Sequence, residues 1–182
     1  MNKNMQIAID LDGVVLNTMK ALCNTHHLNL DYETVPFPFN FYPLLNITKE
    51  EGIHLFETID PDLVIPFPGA IRGLELMSQD FQIFFLTDKT PKMMVWTKNI
   101  LKQLGLDKYP IMVSNAKHLE NCYDILIEDK GQTYIDCKNQ SKICFLIDRA
   151  WNRDYEYMGG ERFSDLVDVA IYLHSKYVFT KM

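Results

Sequence analysis

At 182 residues, 47% of them hydrophobic, the chain has room for one α/β core plus a small insert. Its net charge of −6 argues against a nucleic-acid polymer as partner, because phosphate backbones select basic surfaces, but leaves room for one small phosphorylated compound held in a local cationic pocket. No apolar run approaches the roughly 20 residues that span a bilayer, and Met1-Asn2-Lys3-Asn4-Met5 lacks the apolar region and cleavage site of a secretory signal, so the expected location is the cytoplasm, with no membrane partner.

In chain order, Gln6 to Ile9 is a short apolar run expected to form a buried strand. Val15, Leu16, Met19, Leu22 and Cys23 then recur at helical spacing. Prolines punctuate the aromatic stretch from Val35 to Pro43 and rule out a regular helix there. Thr48-Lys49-Glu50-Glu51 is a capping box opening a helix through about Ile59. Gly69 to Ser78 has Ala70, Leu74 and Met77 on one helical face, and Gln82 to Leu86 is a strand. Thr90-Pro91 caps a helix whose inner stripe is Met93, Thr97, Ile100 and Leu104, ended by Gly105. Tyr109 to Ser114, Asp124 to Ile127 and Lys142 to Ile147 are three further strands, and Leu166, Val169, Ala170 and Leu173 mark a final helix. Strands alternating with helices imply a parallel sheet with right-handed crossovers, whose ligands bind beyond the carboxyl ends of the strands. Cys23, Cys122, Cys137 and Cys144 show neither C-x-x-C spacing nor a zinc-like cluster, and read as reduced thiols, most of them in or near the core.

Asp10-Leu11-Asp12-Gly13-Val14, directly after the first strand, carries the most chemistry. If the chain turns at Gly13, the Asp10 carboxylate and the Asp12 carbonyl approach one point, a donor set that suits Mg²⁺, and a carboxylate there can also act as a nucleophile. Asp and Gly are equally ordinary turn residues, so the rest of the chain decides.

The stretch resembles the first motif of the haloacid dehalogenase-like hydrolases. Phe84-Phe85-Leu86-Thr87 matches the second motif of that family, Lys117 the third, and Ile125-Leu126-Ile127-Glu128-Asp129 the fourth. Lys89, Lys92 and Lys130 compete with Lys117 for the third position, which the spacing favours for Lys117. A narrower resemblance, to the 5'(3')-deoxyribonucleotidase branch, rests on Pro66-Phe67-Pro68-Gly69-Ala70, on the Ile-Leu-Ile-Glu-Asp-Lys segment ending at Lys130, and on Ala150-Trp151-Asn152-Arg153. Two departures stand out: the fourth motif is Glu-Asp rather than Asp-Asp, and Thr87 is followed by Asp88-Lys89 rather than Ser-Pro.

The resemblance implies a Rossmann-like core, residues 1–15 and 66–182, with a small helical cap, 16–65, inserted after the first strand. It implies a Mg²⁺-dependent phosphomonoesterase acting through an aspartyl-phosphate, with a nucleoside monophosphate as substrate. Asp10 would be the nucleophile and Asp12 the general acid and base. Thr87 and Lys117 would bind the phosphoryl group. Asp10, Asp12 and Asp129 would hold the metal, and Glu128 would either join them or support them from behind. Among the aromatics of the insert, Phe39, Phe41 and Tyr42 are candidates to stack on a base, worth roughly 1–3 kcal/mol per ring, although most such rings serve to hold a small cap together. The adjacent His26 and His27 face different directions on a helix and carry no expected role. A phosphatase for another small metabolite, a phosphomutase, and a non-catalytic phosphate-binding protein are the alternatives; a dehalogenase is disfavoured because it has no need of a proton-transfer group at Asp12.

Overall fold

The structure is a computed structural model that describes residues 5–30, 32, 42–153 and 161–178. Its centre is a six-stranded parallel sheet built from β1 (Gln6–Ile9), β2 (Gln82–Thr87), β3 (Ile111–Val113), β4 (Ile125–Glu128), β5 (Ile143–Ile147) and β6 (Glu161–Phe163), in the order β3-β2-β1-β4-β5-β6. The central strands are continuous apolar runs because helices cover both faces: Ile7, Ala8, Ile9, Ile125, Leu126 and Ile127 are all fully buried. Helices α4 (Ala70–Met77), α5 (Pro91–Gln103), α6 (Gly131–Asn139) and α7 (Leu166–Leu173) supply that cover. Of these, α4 and α7 approach so closely that a Cβ on Gly73 would lie 2.5 Å from the Leu166 backbone.

The expected caps form. Thr48 and Glu51 make the reciprocal capping box at the start of α3 (Lys49–Glu57), and Thr90 accepts from the Met93 amide above Pro91. Neither α6 nor β6 carried a sequence expectation, and nor did the four-residue α2 (Tyr42–Leu45), which takes in Pro43 within its first turn, where proline is tolerated. In α6 only Gly131, Tyr134 and Cys137 are buried, a stripe too narrow to show as helical periodicity. With only Glu-Arg-Phe, β6 has no apolar run to announce it. The edge strand β3 is shorter than expected: Tyr109 turns back onto Leu106, and the Pro110 carbonyl already accepts from Phe85 N at 2.8 Å.

Between β1 and α4 the chain forms α1 (Thr18–Thr25), α2 (Tyr42–Leu45) and α3. Its two connections to the sheet are stitched together, with Asn17 N donating to Ile65 O and Phe67 N to Val15 O, both at 2.9 Å. His26 Nε2 meets the Leu55 carbonyl at 2.9 Å and ties α1 to α3, a structural task. The four cysteines are free thiols, with only Cys122 exposed. No helix among the described residues is long and apolar enough to cross a membrane.

Candidate functional site

The chain leaves β1 for β2 on one side, and β4 joins on the other, so the strand order reverses direction at β1. Ligands of open parallel sheets bind beyond the carboxyl ends at such a point. Ile9 is paired with both Phe85 and Ile127, which places Asp10, Thr87, Glu128 and Asp129 together on one edge.

After Asp10 the chain turns sharply. Val15 and Leu16 amides both donate to the Leu11 carbonyl, at 2.9 and 2.8 Å, and Gly13 sits at φ +79°. A Cβ on Gly13 would lie 1.9 Å from Asp129 Oδ2, so the missing side chain is the space the Asp129 carboxylate occupies. Asp10, Glu128 and Asp129 are all buried and bring one oxygen each within 4.8 Å of one another. Lys117, from the 3₁₀ turn after β3, is buried beside them. Its Nζ lies 2.7 Å from Asp10 Oδ1, an ion pair outside hydrogen-bond angles, and donates to Glu128 Oε2 at 2.8 Å.

Three buried carboxylates face one ammonium, and their proton affinities reflect it. Burial, then repulsion from Glu128 and Asp12, push Asp10 up to about 8 against the pull of Lys117. Burial, then Glu128 and Asp10, raise Asp129 well above the usual carboxylate range. Burial would raise Glu128 as well, but Lys117 and its hydrogen bonds prevail and hold it low. For Lys117, burial is outweighed by the two carboxylates, so it stays charged. Glu128 has spent both its oxygens, Oε2 on Lys117 and Oε1 on the amides of Asp129 and Lys130 at 3.2 and 3.1 Å. Asp129 has not: its Oδ1 is buried with no hydrogen-bond partner among the described residues.

Asp12 stands apart from this cluster. Lys89 Nζ grips its two carboxylate oxygens at 2.8 and 2.6 Å and lies 4.4 Å from the centre of the Trp96 ring, and the Lys89 side chain is only 1% exposed. From the sequence Lys89 is only a competitor to Lys117 for the third motif position, and its pairing with Asp12 is not expected. The available signal is its place two residues after Thr87.

Further support comes from the segment after β5. Trp151 Nε1 donates to Asp129 Oδ2 at 2.8 Å, and Asn152 Nδ2 donates to the carbonyls of Asp129 and Ile147. Arg162 in turn donates to Asn152 Oδ1 at 2.7 Å and to the Asn152 carbonyl at 2.9 Å. Arg149 Nε donates to the Gly13 carbonyl at 2.7 Å while its guanidinium stacks 3.9 Å above Phe67.

Two cavities open on the cluster. The smaller, about 60 Å³, is lined by Asp10, Thr87, Asn115, Lys117, Lys130 and Thr133 among others, twice the ~30 Å³ share of one liquid water. The Thr87 hydroxyl is buried without a hydrogen-bond partner among the described residues. The larger cavity, about 800 Å³, lies between the sheet edge and the helices that follow β1, at the upper end of ligand pockets. Asp12, Asp129 and Trp151 form its floor, and Tyr42, Lys49, Ile53 and Phe56 face it from the other side. Of the three aromatic candidates, Tyr42 lines this cavity, while Phe39 and Phe41 lie outside the described residues.

No protein-family model and no curated protein sequence matches the chain. Solved structures do. A haloacid dehalogenase-like family hydrolase from Streptococcus pneumoniae superposes with a TM-score of 0.68 at 15% identity, over 95% of this chain and 100% of that one. The chain has the haloacid dehalogenase-like fold. A putative beta-phosphoglucomutase from Thermotoga maritima (TM-score 0.60, 13% identity, 94% and 99% covered) and a defluorinating L-2-haloacid dehalogenase (0.58, 13%, 93% and 95%) share it. Neighbours named for such different activities share the fold, and the site decides the chemistry.

Proposed function

We propose that this chain is a Mg²⁺-dependent phosphomonoesterase that works through an aspartyl-phosphate on Asp10, with a nucleoside monophosphate as substrate. The observation that carries the reading is the buried group Asp10, Glu128 and Asp129 around Lys117, at the floor of a large cavity. Three carboxylates against one ammonium call for about two further positive charges, and the unpartnered Asp129 Oδ1 is an oxygen ready to meet them. Asp10, Asp129 and the Asp12 carbonyl would hold the ion, with Glu128 fixing Lys117 rather than binding it. Mg²⁺ when bound supplies positive charge that screens the carboxylates from an anionic substrate.

The chain's own residues supply the remaining steps. Lys117 holds one Asp10 oxygen, and the other attacks phosphorus as the ester bond breaks. Thr87 and Lys117 receive the phosphoryl oxygens in the small cavity. Asp12 gives a proton to the departing alkoxide, then takes one from the water that cleaves the acyl-phosphate, which returns Asp10 and releases phosphate. Asp12 as a proton-transfer group favours phosphoryl chemistry over carbon–halogen cleavage.

The segment 16–65 acts in this reading as a cap over a core of residues 1–15 and 66–182. The nucleotide claim is supported by Tyr42 and Phe56 facing the large cavity. It is also supported by the branch-like residues Phe67 and Trp151, which touch Arg149 and Asp129 at the site. The test is turnover of p-nitrophenyl phosphate and a panel of nucleoside monophosphates, with and without Mg²⁺. Parent protein should be active only with Mg²⁺, and Asp10→Asn should be inactive yet folded. Full turnover in the Asn variant ends the covalent mechanism, and hydrolysis of sugar phosphates but no nucleotide moves the substrate elsewhere.

A further inference from the structure

The four motif positions account for the carboxylates and Lys117, but not for Trp151, which is buried, lines the large cavity and spends its only polar atom on a carboxylate. We propose that Trp151 is the positioning residue of the cation site: its indole N–H holds Asp129 so that one chosen oxygen is presented to the ion. The proposal rests on the cation-site reading above.

A carboxylate on a short side chain can turn about its last bond and offer either oxygen. Here the Trp151 N–H takes Oδ2 at 2.8 Å, and the same oxygen sits 1.9 Å from where a Gly13 Cβ would be. Oδ1 is left buried with no hydrogen-bond partner among the described residues. The Asp129 backbone is pinned as well, since its carbonyl accepts from Asn152 Nδ2 at 2.7 Å. Both donors come from the one 3₁₀ turn Ala150–Asn152 after β5, so a single turn fixes both ends of this residue. An oxygen held in place before the ion arrives loses little freedom on binding, and hydrogen bonds from behind a ligand typically set 10- to 100-fold in metal affinity.

The test is Mg²⁺ affinity by calorimetry, with no substrate present. Trp151→Phe removes the N–H but also shrinks the ring, so a second protein carries benzothienylalanine at 151, in which sulfur replaces only the N–H. Both should bind Mg²⁺ about 10- to 100-fold more weakly than the parent, whereas Trp96→Phe should match it. The Trp96→Phe protein keeps Trp151 as its sole tryptophan, and its emission should change as Mg²⁺ is added. Affinity within about twofold of the parent in the benzothienylalanine protein overturns the proposal while leaving the cation site standing. A parent that binds no Mg²⁺ overturns both.

Discussion

Gly13 shows how one residue carries both conformation and chemistry. Its φ of +79° belongs to the left-handed region, and its missing Cβ is the room used by Asp129. Gly13→Ala should therefore cost roughly 1–2 kcal/mol in backbone strain alone and also push Asp129 out of place. The expected result is a lower midpoint in chemical denaturation together with weakened Mg²⁺ binding; a variant that loses stability but keeps its Mg²⁺ affinity would mean that Asp129 is not the ligand crowded by the methyl group. Lys89 invites a different experiment. Its grip on Asp12 keeps that carboxylate in one orientation, and general acid catalysis by an oriented group is worth roughly 10²–10⁴-fold. Lys89→Met should slow alkyl phosphates, whose leaving group needs a proton, by about 10²-fold or more, and p-nitrophenyl phosphate far less, with KM little changed. Equal slowing of both classes would show that Lys89 serves the fold and not Asp12.

At the level of elements, much of the chain was legible because its signals were local. The buried strand before Asp10, the Thr48 capping box, the Thr90-Pro91 start of α5 and the apolar stripe of α7 each follow from a few neighbouring residues, and each forms where expected. Among the elements that escaped, α6 and β6 are polar, and tertiary contacts hold them in place. Arg162 of β6 is an instance: its partners Asp148 and Asn152 come from another part of the chain. The same limit applied at the site. Asp10, Thr87, Lys117, Glu128 and Asp129 stand out through the motif resemblance, whose motifs lie at or soon after strand ends, and the fold brings these five residues together. The Lys89–Asp12 pair and the Trp151–Asp129 bond join residues 77 and 22 positions apart, and no local pattern reports such a pair. Asn152 makes this dependence measurable. It satisfies two buried carbonyls, those of Asp129 and Ile147, and a buried acceptor left short costs about 1–3 kcal/mol. Asn152→Ala should lose about 2–4 kcal/mol in denaturant unfolding, and Asn152→Asp, which keeps the shape but not the donor, should fare no better. A loss under about 0.5 kcal/mol in both would show that water replaces the amide.

The whole molecule pays for its site in stability, and pH and Mg²⁺ should reveal how much. In the metal-free protein Asp10 holds its proton up to about 8 when folded, against an ordinary 3.8, and Asp129 is shifted in the same direction. The folded state therefore binds protons more tightly than the unfolded chain, and between those two pH values each rise in pH favours unfolding. Above about 8 the Asp10 penalty is complete and adds nothing more. Glu128, held below its ordinary 4.5, has the opposite sign, adding stability as pH rises towards 4.5, so it opposes the Asp10 slope at the acid end of this window and is complete above it. In the proposed reading Mg²⁺ would bind the ionised carboxylates of the folded state alone, so its stabilisation would follow mass action and should grow as protons cease to compete. Thermal unfolding of metal-stripped protein should thus show a Tm that falls from pH about 5 to about 8, and saturating Mg²⁺ should raise Tm by an increment that widens across the same interval. Asp10→Asn removes one of the two carboxylates with raised proton affinity and should lessen the metal-free slope. A flat profile in the parent, or a Mg²⁺ increment that shrinks with rising pH, would mean that the three carboxylates share their charge with some partner other than a divalent cation.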